Sequence, residues 1–439
     1  MVLKDTACLQ PPRLPGSFDR LPEGIETVLD APLQPPPYLS LVSGPDWHQN
    51  PYPAFAALRR KWPVARLDWP KRGAGDWLIT RYADVKHALA CLTLSVNLDQ
   101  ADCQSDRFQP RAVQSAEREP LRGTILLLDA PQHTAPQKTL AASLNLRFSR
   151  VQPNLQRGVA AILEDATRRG SLDLMAQFAE PVTALMMSEL MGFPLEEIGP
   201  LKQWSAAYAR RGFIFGPEFV SPNVLTAVAC LKEYVRSRVA ARRARPKDDL
   251  LGAMVMHSND EHAQERIVNT SLLLITAGLQ SAKHALGNAL AALIEAPGAF
   301  AMLAANPDLL LRATEECFRY DGPSVAVGRV ATADMIMAGV TVPKGAFLRL
   351  ALASANHDAE QFEDPERLNL QRHPNRHLAF GSGSHICLGA RISRLTTRLA
   401  LGELVKVFRG FSLVPGGAVR ERQSALRGFA ELHATCQRI

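Results

Sequence analysis

The sequence predicts a mainly α-helical fold with a small β region, organised around one long central helix. Apolar residues recur at helical spacing through most of residues 150–300. One such pattern continues from about Asp260 to Ala296, long enough to cross a whole domain. Strand-like runs are confined to residues 64–81 and 329–350, and Gly339 and Lys344-Gly345 mark turns in the second.

Residues 1–44 are proline-rich and polar between the prolines, which predicts an irregular N-terminal arm and not a membrane anchor. Residues 45–439 read as a single domain. Length alone would suggest about three domains, but no Gly/Ser linker, charge run or internal repeat divides the chain. Pro53–Trp62 has helical spacing, Val64–Trp69 and Asp76–Arg81 read as strands, and Ala83–Ala90 reads as a short helix. Residues 93–122 are polar and patternless, a long surface loop of the kind that serves as a lid or binding loop. Ser258, Asn259 and Asp260 offer cap chemistry for the long helix, and Pro297-Gly298 stops it. At 1.5 Å per residue it spans roughly 50 Å. Its middle reads Ala277-Gly278-Leu279-Gln280-Ser281-Ala282-Lys283. Gly278 costs about 1 kcal/mol against alanine, and Gln280 and Ser281 are polar inside an apolar stretch. A small residue there serves close packing or makes room for a bound molecule; beside the cysteine loop below, the second is expected. Glu316 and Arg319 are spaced i,i+3 on a helix and can pair. If buried, the pair needs further partners, and Arg367 and Arg372 lie downstream.

The strongest chemical signal runs from Phe380 to Gly389, reading Phe-Gly-Ser-Gly-Ser-His-Ile-Cys-Leu-Gly. Its glycines and serines let the backbone turn sharply, and an amphipathic helical pattern follows Cys387. A cysteine at a helix N-terminus meets free amide hydrogens and the positive end of the dipole, which favour thiolate. A thiolate fixed there suits a soft iron ligand, and haem iron is one known use. A dinucleotide loop would need glycine where Ile386 stands, and a P-loop would need a Gly-Lys pair. Zinc would need further cysteines or histidines at ligand spacing. A buried structural cysteine remains the alternative.

With 46% hydrophobic residues the chain can bury a large core. Seven scattered cysteines, an odd number, predict a reducing, cytoplasmic setting. No run reaches the ~18 apolar residues of a membrane helix. The net charge of +7 comes without basic residues interleaved with aromatics, which are only 6%, so nucleic-acid binding is not expected. The densest basic group, Arg236–Arg245, has helical spacing and reads as a solvated face rather than a dock for an acidic electron carrier.

Taken together, these residues resemble the cytochrome P450 family of haem-thiolate enzymes in its soluble bacterial form, from about residue 45 onward. Phe380–Gly389 matches the family's F-G-x-G-x-H-x-C-x-G signature without a gap, and Glu316-x-x-Arg319 matches its E-x-x-R. Pro365-Glu366-Arg367-Leu368 and Arg372 resemble the meander that follows, with Arg367 favoured as the second arginine of a Glu-Arg-Arg network. Asn356-His357-Asp358 sits where the family often has Asn-Arg-Asp, and Trp77–Val85 resembles an N-terminal strand and helix of bacterial members.

The resemblance implies the cytochrome P450 fold, with the long helix over haem b and Cys387 as the iron ligand. It implies that His385 and Arg329 contact the haem propionates. Gly381 and Gly383 would shape the ligand loop, Phe380 would be a further cofactor contact, and Gly389 would let the next helix approach the haem. Asp129–Thr134 resembles the start of the C helix, making His133 another propionate contact. Where the family usually has arginine four residues later, this chain has Gln137 and then Lys138, the candidate substitute charge. The family's A-G-x-(Asp/Glu)-Thr, linked to proton delivery, reads Ala277-Gly278-Leu279-Gln280-Ser281 here. Ser281 keeps a hydroxyl, but Gln280 cannot exchange a proton near neutral pH as a carboxylate does. Substrate-assisted monooxygenation is therefore expected, or an oxidation without oxygen insertion such as coupling, ring closure or desaturation. Substrate contacts would fall in the 93–122 loop, residues 205–225, Ala277, Ser324–Val327 (Val325 and Val327 above all) and Leu426. They suggest an apolar pocket for a hydrophobic natural-product intermediate.

The implied enzyme is a cytochrome P450 monooxygenase or oxidase using dioxygen and electrons from a separate ferredoxin or flavodoxin. The alternatives are a peroxide-driven haem enzyme of the same fold and a non-catalytic P450-like helper. The intact cysteine loop argues against the helper.

Overall fold

Tyr52–Lys61 forms helix α1, with Pro53 in its first turn, where a missing N–H costs nothing. Its Phe55 and Leu58 pack on Ala65, Leu78, Ala351 and Ala353. Those residues belong to, or adjoin, a five-stranded sheet. In order across the sheet its strands are Val64–Arg66 (β1), Asp76–Ile79 (β2), Phe347–Leu350 (β8), Val327–Ala331 (β5) and Leu94–Ser95 (β3), and Met335–Met337 (β6) and Val340–Val342 (β7) form a separate pair. The pairing of β2 with β8 is parallel and the others are antiparallel. A buried ion pair staples the two parallel strands: Arg349 donates to both carboxylate oxygens of Asp76 at 2.8 and 2.7 Å.

The computed structural model describes residues 49–67, 74–97, 100–101, 123–167, 172–209, 222–256, 263–421 and 426–438. All of these fall in one compact unit, Pro36–Ile439. Helix α2, Tyr82–Ala90, starts where the Tyr82 N–H donates to Asp358 at 2.8 Å. The helical body comprises Thr134–Thr167 (α3), Glu180–Met191 (α4), Ile198–Ala209 (α5), Pro222–Ala244 (α6), Leu250–Met256 (α7) and Ala263–Glu295 (α8). Then come Ala299–Ala305 (α9), Leu310–Asp321 (α10), Leu352–Ala355 (α11) and Ala390–Val407 (α12). Helix α8 is the predicted central helix. It packs against α4, α5, α6, α10 and α12, and its apolar residues join the largest core cluster. No single described helix is long and apolar enough to cross a membrane. The predicted caps at Ser258–Asp260 lie outside the described residues.

Beyond α12 the chain forms a long antiparallel hairpin, Phe408–Arg420 (β9) and Phe429–Arg438 (β10), joined by Leu172–Asp173 (β4). The sequence reading missed it. Pro415-Gly416-Gly417 interrupts the first strand and three register shifts break the pairing, so no clean two-residue alternation is written there.

Two expectations are corrected. Gly278 does not open space: a β-carbon there would collide with the Met187 methyl of α4, so the glycine serves close helix packing. Nor is Arg236–Arg245 simply a solvated face. Arg242 is buried and donates to Asp249 at 2.7 Å and to the Gly192 carbonyl at 2.7 Å. Arg238 pairs with Glu197 at 2.5 Å and Arg236 with Glu265 at 3.2 Å. Helix α6 packs against α5, α7 and α8, so its inward cations need carboxylates on neighbouring elements.

Candidate active site

Cys387 stands in a turn closed by its own backbone. The Gly381 N–H donates to Leu378 at 2.8 Å, the Cys387 N–H to Phe380 at 2.9 Å and the Ala390 N–H to Cys387 at 3.3 Å. Gly381 and Gly383 have φ of +70° and +76°, which glycine adopts without strain. Gly383 has a second reason: a β-carbon would lie 2.6 Å from the Leu89 carbonyl oxygen at the end of α2. Helix α12 begins at Ala390 with Gly389 as its N-cap, and the amides of Gly389 and Ala390 bond the cysteine sulfur. The residue keeps accessible surface, yet burial of the sulfur pushes its thiol pKa up. The Gly389 amide, the Arg394 charge and the Ala390 amide offset this only in part. The expected bias toward thiolate is therefore corrected: desolvation outweighs the helix end. A metal cation at the sulfur displaces the proton outright.

Three nitrogen-bearing groups converge near the loop. The rings of His133 and His385 lie 4.1 Å apart. Arg329 on β5 is buried, and its guanidinium donates to the Gly328 carbonyl at 2.8 Å. Burial pushes the Arg329 pKa down to about 10, and the Asp129 charge opposes the shift. His385 is pushed down to about 4 by burial, then by His133 and Arg329. His133 is lowered too, chiefly by burial. Among the described residues no carboxylate lies within ion-pair distance of Arg329. Such a cluster is suited to anionic oxygens, which would restore charge complementarity.

These residues fit a haem. Cys387 offers one soft ligand, and the described residues hold no group of three or more His, Cys, Asp or Glu that would cage a bare ion. Gly389 has φ −79°, and a β-carbon there would make only ordinary contacts, 3.8 Å to the Cys387 sulfur and 3.9 Å to Ile392. The protein's own packing does not demand glycine at 389, and a flat group lying against the sulfur would. Arg329, His133 and His385 suit two propionates. Lys138 is not brought to this cluster; it is exposed on α3. Five residues after His133 it has turned roughly 140° away, and Gln137 holds the same-face position.

On α8, Ala277 is exposed and Ser281 part-exposed, whereas Thr276, Leu279, Gln280 and Ala282 are buried. The Ser281 hydroxyl donates to the Ala277 carbonyl. Gln280 points elsewhere, its amide donating to Ser205 Oγ at 3.1 Å and the Lys202 carbonyl at 3.5 Å on α5. Adjacent residues on a helix sit about 100° apart, so the two polar groups serve different faces. Val325, Val327 and Leu426 are half-buried. Most of the other predicted substrate segments, residues 98–99, 102–122 and 210–221, lies outside the described residues.

Comparisons with known proteins agree with this geometry. A family model for cytochrome P450 matches residues 226–430. The vitamin D(3) 25-hydroxylase of Pseudonocardia autotrophica is 31% identical over 402 residues, covering 90% of this chain and 96% of that protein. The chain belongs to the cytochrome P450 family. The nocardicin C N-oxygenase of Nocardia uniformis subsp. tsuyamanensis is 32% identical over 391 residues, covering 88% of this P450 and 95% of the relative. Among solved structures, the cytochrome P450 enzyme CxnD for C–S bond formation in chuangxinmycin biosynthesis superposes with a TM-score of 0.80. It is 29% identical, with 90% of this chain and 97% of that one covered. The P450 thus uses haem and is a monooxygenase of a family with members in bacterial biosynthetic pathways.

One prediction about the P450's buried network is corrected. Glu316 is fully buried and accepts from Arg319 Nε and Nη2 at 2.8 Å each. The second arginine is Arg372, whose Nε donates to both Glu316 oxygens at 3.1 and 3.2 Å. Arg367 has an exposed side chain and contributes its carbonyl, which accepts from Arg319 at 3.2 Å. The turn at Asp364, with φ +42°, sends residue 367 outward before the chain returns at 372.

Sequence reasoning also missed the Glu315–Arg394 pair. Arg394 donates to both Glu315 oxygens at 2.7 and 2.9 Å and lies 4.4 Å from the Phe380 ring centre. It stands seven residues after Cys387, two helical turns on, and that spacing was the available signal.

Proposed function

We propose that this P450 oxidises a small hydrophobic molecule, a biosynthetic intermediate, with dioxygen and two electrons from a separate ferredoxin or flavodoxin. The observation that carries this reading is Cys387, a residue that keeps accessible surface, beside buried Arg329 and His133 and half-buried His385. Haem bound through Cys387 supplies the activation of oxygen. The protein's part is to hold, orient and protonate. Arg329, His133 and His385 would bind the propionates, and the Gly389 and Ala390 amides would hold the sulfur's charge. Ser281 is the hydroxyl on the accessible face of α8. By rotating from the Ala277 carbonyl it can hold a water or a substrate hydroxyl and pass a proton at Oγ. Gln280 ties α8 to α5 and takes no part in proton transfer. Proton supply then falls to Ser281 and the substrate, which favours substrate-assisted oxygenation.

A second reading, oxidation without oxygen insertion, has support from the same amide and from the likeness to CxnD, whose own name states C–S bond formation. The electron donor would dock where Arg391 and Arg398 of α12 flank a groove lined also by Phe148, Leu311, Thr314, Leu395 and the Glu315–Arg394 ion pair. A basic rim around an apolar floor complements an acidic carrier.

The first test is the reduced carbon-monoxide difference spectrum, where a thiolate-type Soret band is expected; its absence would end the haem-thiolate reading. Turnover with ferredoxin, ferredoxin reductase and NADH is then compared with hydrogen peroxide alone. Equal rates with peroxide alone would favour the peroxide-driven alternative. Gln280→Glu should leave product formed per electron unchanged within about twofold, since residue 280 faces α5. A large rise would mean that a carboxylate relay had been missing.

A further inference from the structure

We infer that Asn288 and Asp321 are positioning residues that fix Leu426 against the Val325 segment and so select the substrate, an inference that rests on reading Leu426 and Val325 as substrate contacts. The residues that follow Leu426 are held from three directions. The Arg427 N–H donates to the Pro323 carbonyl at 2.8 Å, two residues before Val325. The Arg427 carbonyl accepts from Asn288 Nδ2 on α8 at 3.1 Å. Arg427 Nε donates to Asp321 at 2.7 Å, and the guanidinium lies 5.4 Å from the Tyr52 ring centre. Gly428 lies flush against the His284 ring of α8, where a β-carbon would collide.

Asp321 and Asn288 join these holds into one buried network. The Asp321 carboxylate also accepts from the Tyr52 hydroxyl at 2.7 Å and from Arg420 Nη2 at 2.9 Å. Its carbonyl accepts from Asn288 Nδ2 at 2.8 Å, and Asn288 Oδ1 accepts from Arg420 Nη1 at 3.1 Å. Asn288 is 1% and Asp321 6% exposed, so each lost bond leaves a buried polar group unpaired.

The location argues for more than hairpin stability. A brace could sit anywhere along β9 and β10, yet this one acts on the residue next to Leu426. It joins that residue, backbone to backbone, to the other expected substrate segment. Asn288 lies seven residues after Ser281, nearly two turns on and on the same side of α8, roughly 10 Å away. The helix face that carries Ser281 therefore also sets the height of Leu426. Small errors in such a wall change which substrates fit and how they are aimed.

The test uses the ferric holoenzyme and two azole probes read by the Soret shift. Imidazole is small enough to bind iron without touching Leu426, and clotrimazole fills a pocket. Asn288→Ala should weaken clotrimazole about tenfold and imidazole less than about twofold, within the range of coupling between neighbours. In a Leu426→Ala background, Asn288→Ala should change clotrimazole binding less than about twofold. Asp321→Asn should repeat the pattern. Equal weakening of both probes, no weakening, or an undiminished effect in the Leu426→Ala background would overturn the inference. If Asn288→Ala does not load haem, Asn288→Ser replaces it; failure of both would make the network purely structural and overturn the inference too. A wild-type protein that shifts with neither azole would instead sink the haem-site reading itself.

Discussion

Replacing Arg372 by alanine should destabilise the protein severely, and replacing Arg367 should not. Glu316 is fully buried and receives six hydrogen bonds: two from Arg319, two from Arg372 Nε, one from Asn375 and one from the Asn369 N–H. Arg372 also donates to the carbonyls of Glu363 at 2.7 Å and Asp364 at 3.2 Å. Arg372→Ala removes one of two cations from a carboxylate with no access to water. Breaking a buried pair costs about 3–5 kcal/mol, and because Arg319 remains, the lower end, about 3 kcal/mol, is expected. At a slope of about 3 kcal/mol per molar, that lowers the urea midpoint by ~1 M. Arg367→Ala removes an exposed side chain and should stay within about 0.5 kcal/mol, with its carbonyl still in place. Far-UV ellipticity and Soret absorbance would be followed on the holoenzyme. Midpoints are compared rather than extrapolated energies, because a bound cofactor can break two-state behaviour. A larger shift for Arg367→Ala, or equal shifts, would refute the assignment of Arg372.

Two further outcomes are expected. Gly383→Ala forces a positive φ and a contact with the Leu89 carbonyl, costing about 1–3 kcal/mol, so the apoprotein's own urea midpoint should fall. Gly389→Ala meets no such obstacle, so it should lower haem content while the apoprotein midpoint stays put; loss of apoprotein stability would contradict the fit argued for that glycine. Glu315 is pushed up by burial but pulled below it, to about 2, by hydrogen bonds from His377 and Arg394 and then by the Arg394 charge. Its folded pKa lies below the unfolded value of about 4.3. Its stabilising effect is therefore present above pH ~4.3 and lost as pH falls toward 2. The urea-midpoint gap between wild type and Glu315→Gln should accordingly shrink between pH 5 and pH 2.5, and a constant or widening gap would contradict the pairing.

Much of the fold was legible because its signals are local. The long helix follows from an unbroken apolar pattern ended by Pro297-Gly298. The cysteine turn follows from glycines that take positive φ at 381 and 383. The hairpin at 408–438 was not legible, because proline, glycines and register shifts erase its alternation. Identities that depend on distant partners were read less well. Sequence favours Arg367 over Arg372, and only the path of the chain after Asp364 turns Arg367 outward and Arg372 onto Glu316. Gly278 beside the cysteine loop reads as space for a bound molecule until Met187 is seen against it.

By itself, then, the sequence determined the class of protein, a helical domain with one cysteine presented for haem. Those features rest on backbone conformation and short-range periodicity, which a few neighbouring residues dictate. Tertiary structure alone decided the direction of the Cys387 pKa, because desolvation depends on every element packed around the sulfur. It also decided that Gln280 serves α5 while Ser281 serves the accessible face. Two adjacent residues on one helix face different neighbours, and which neighbour stands on each side is a property of the packed fold.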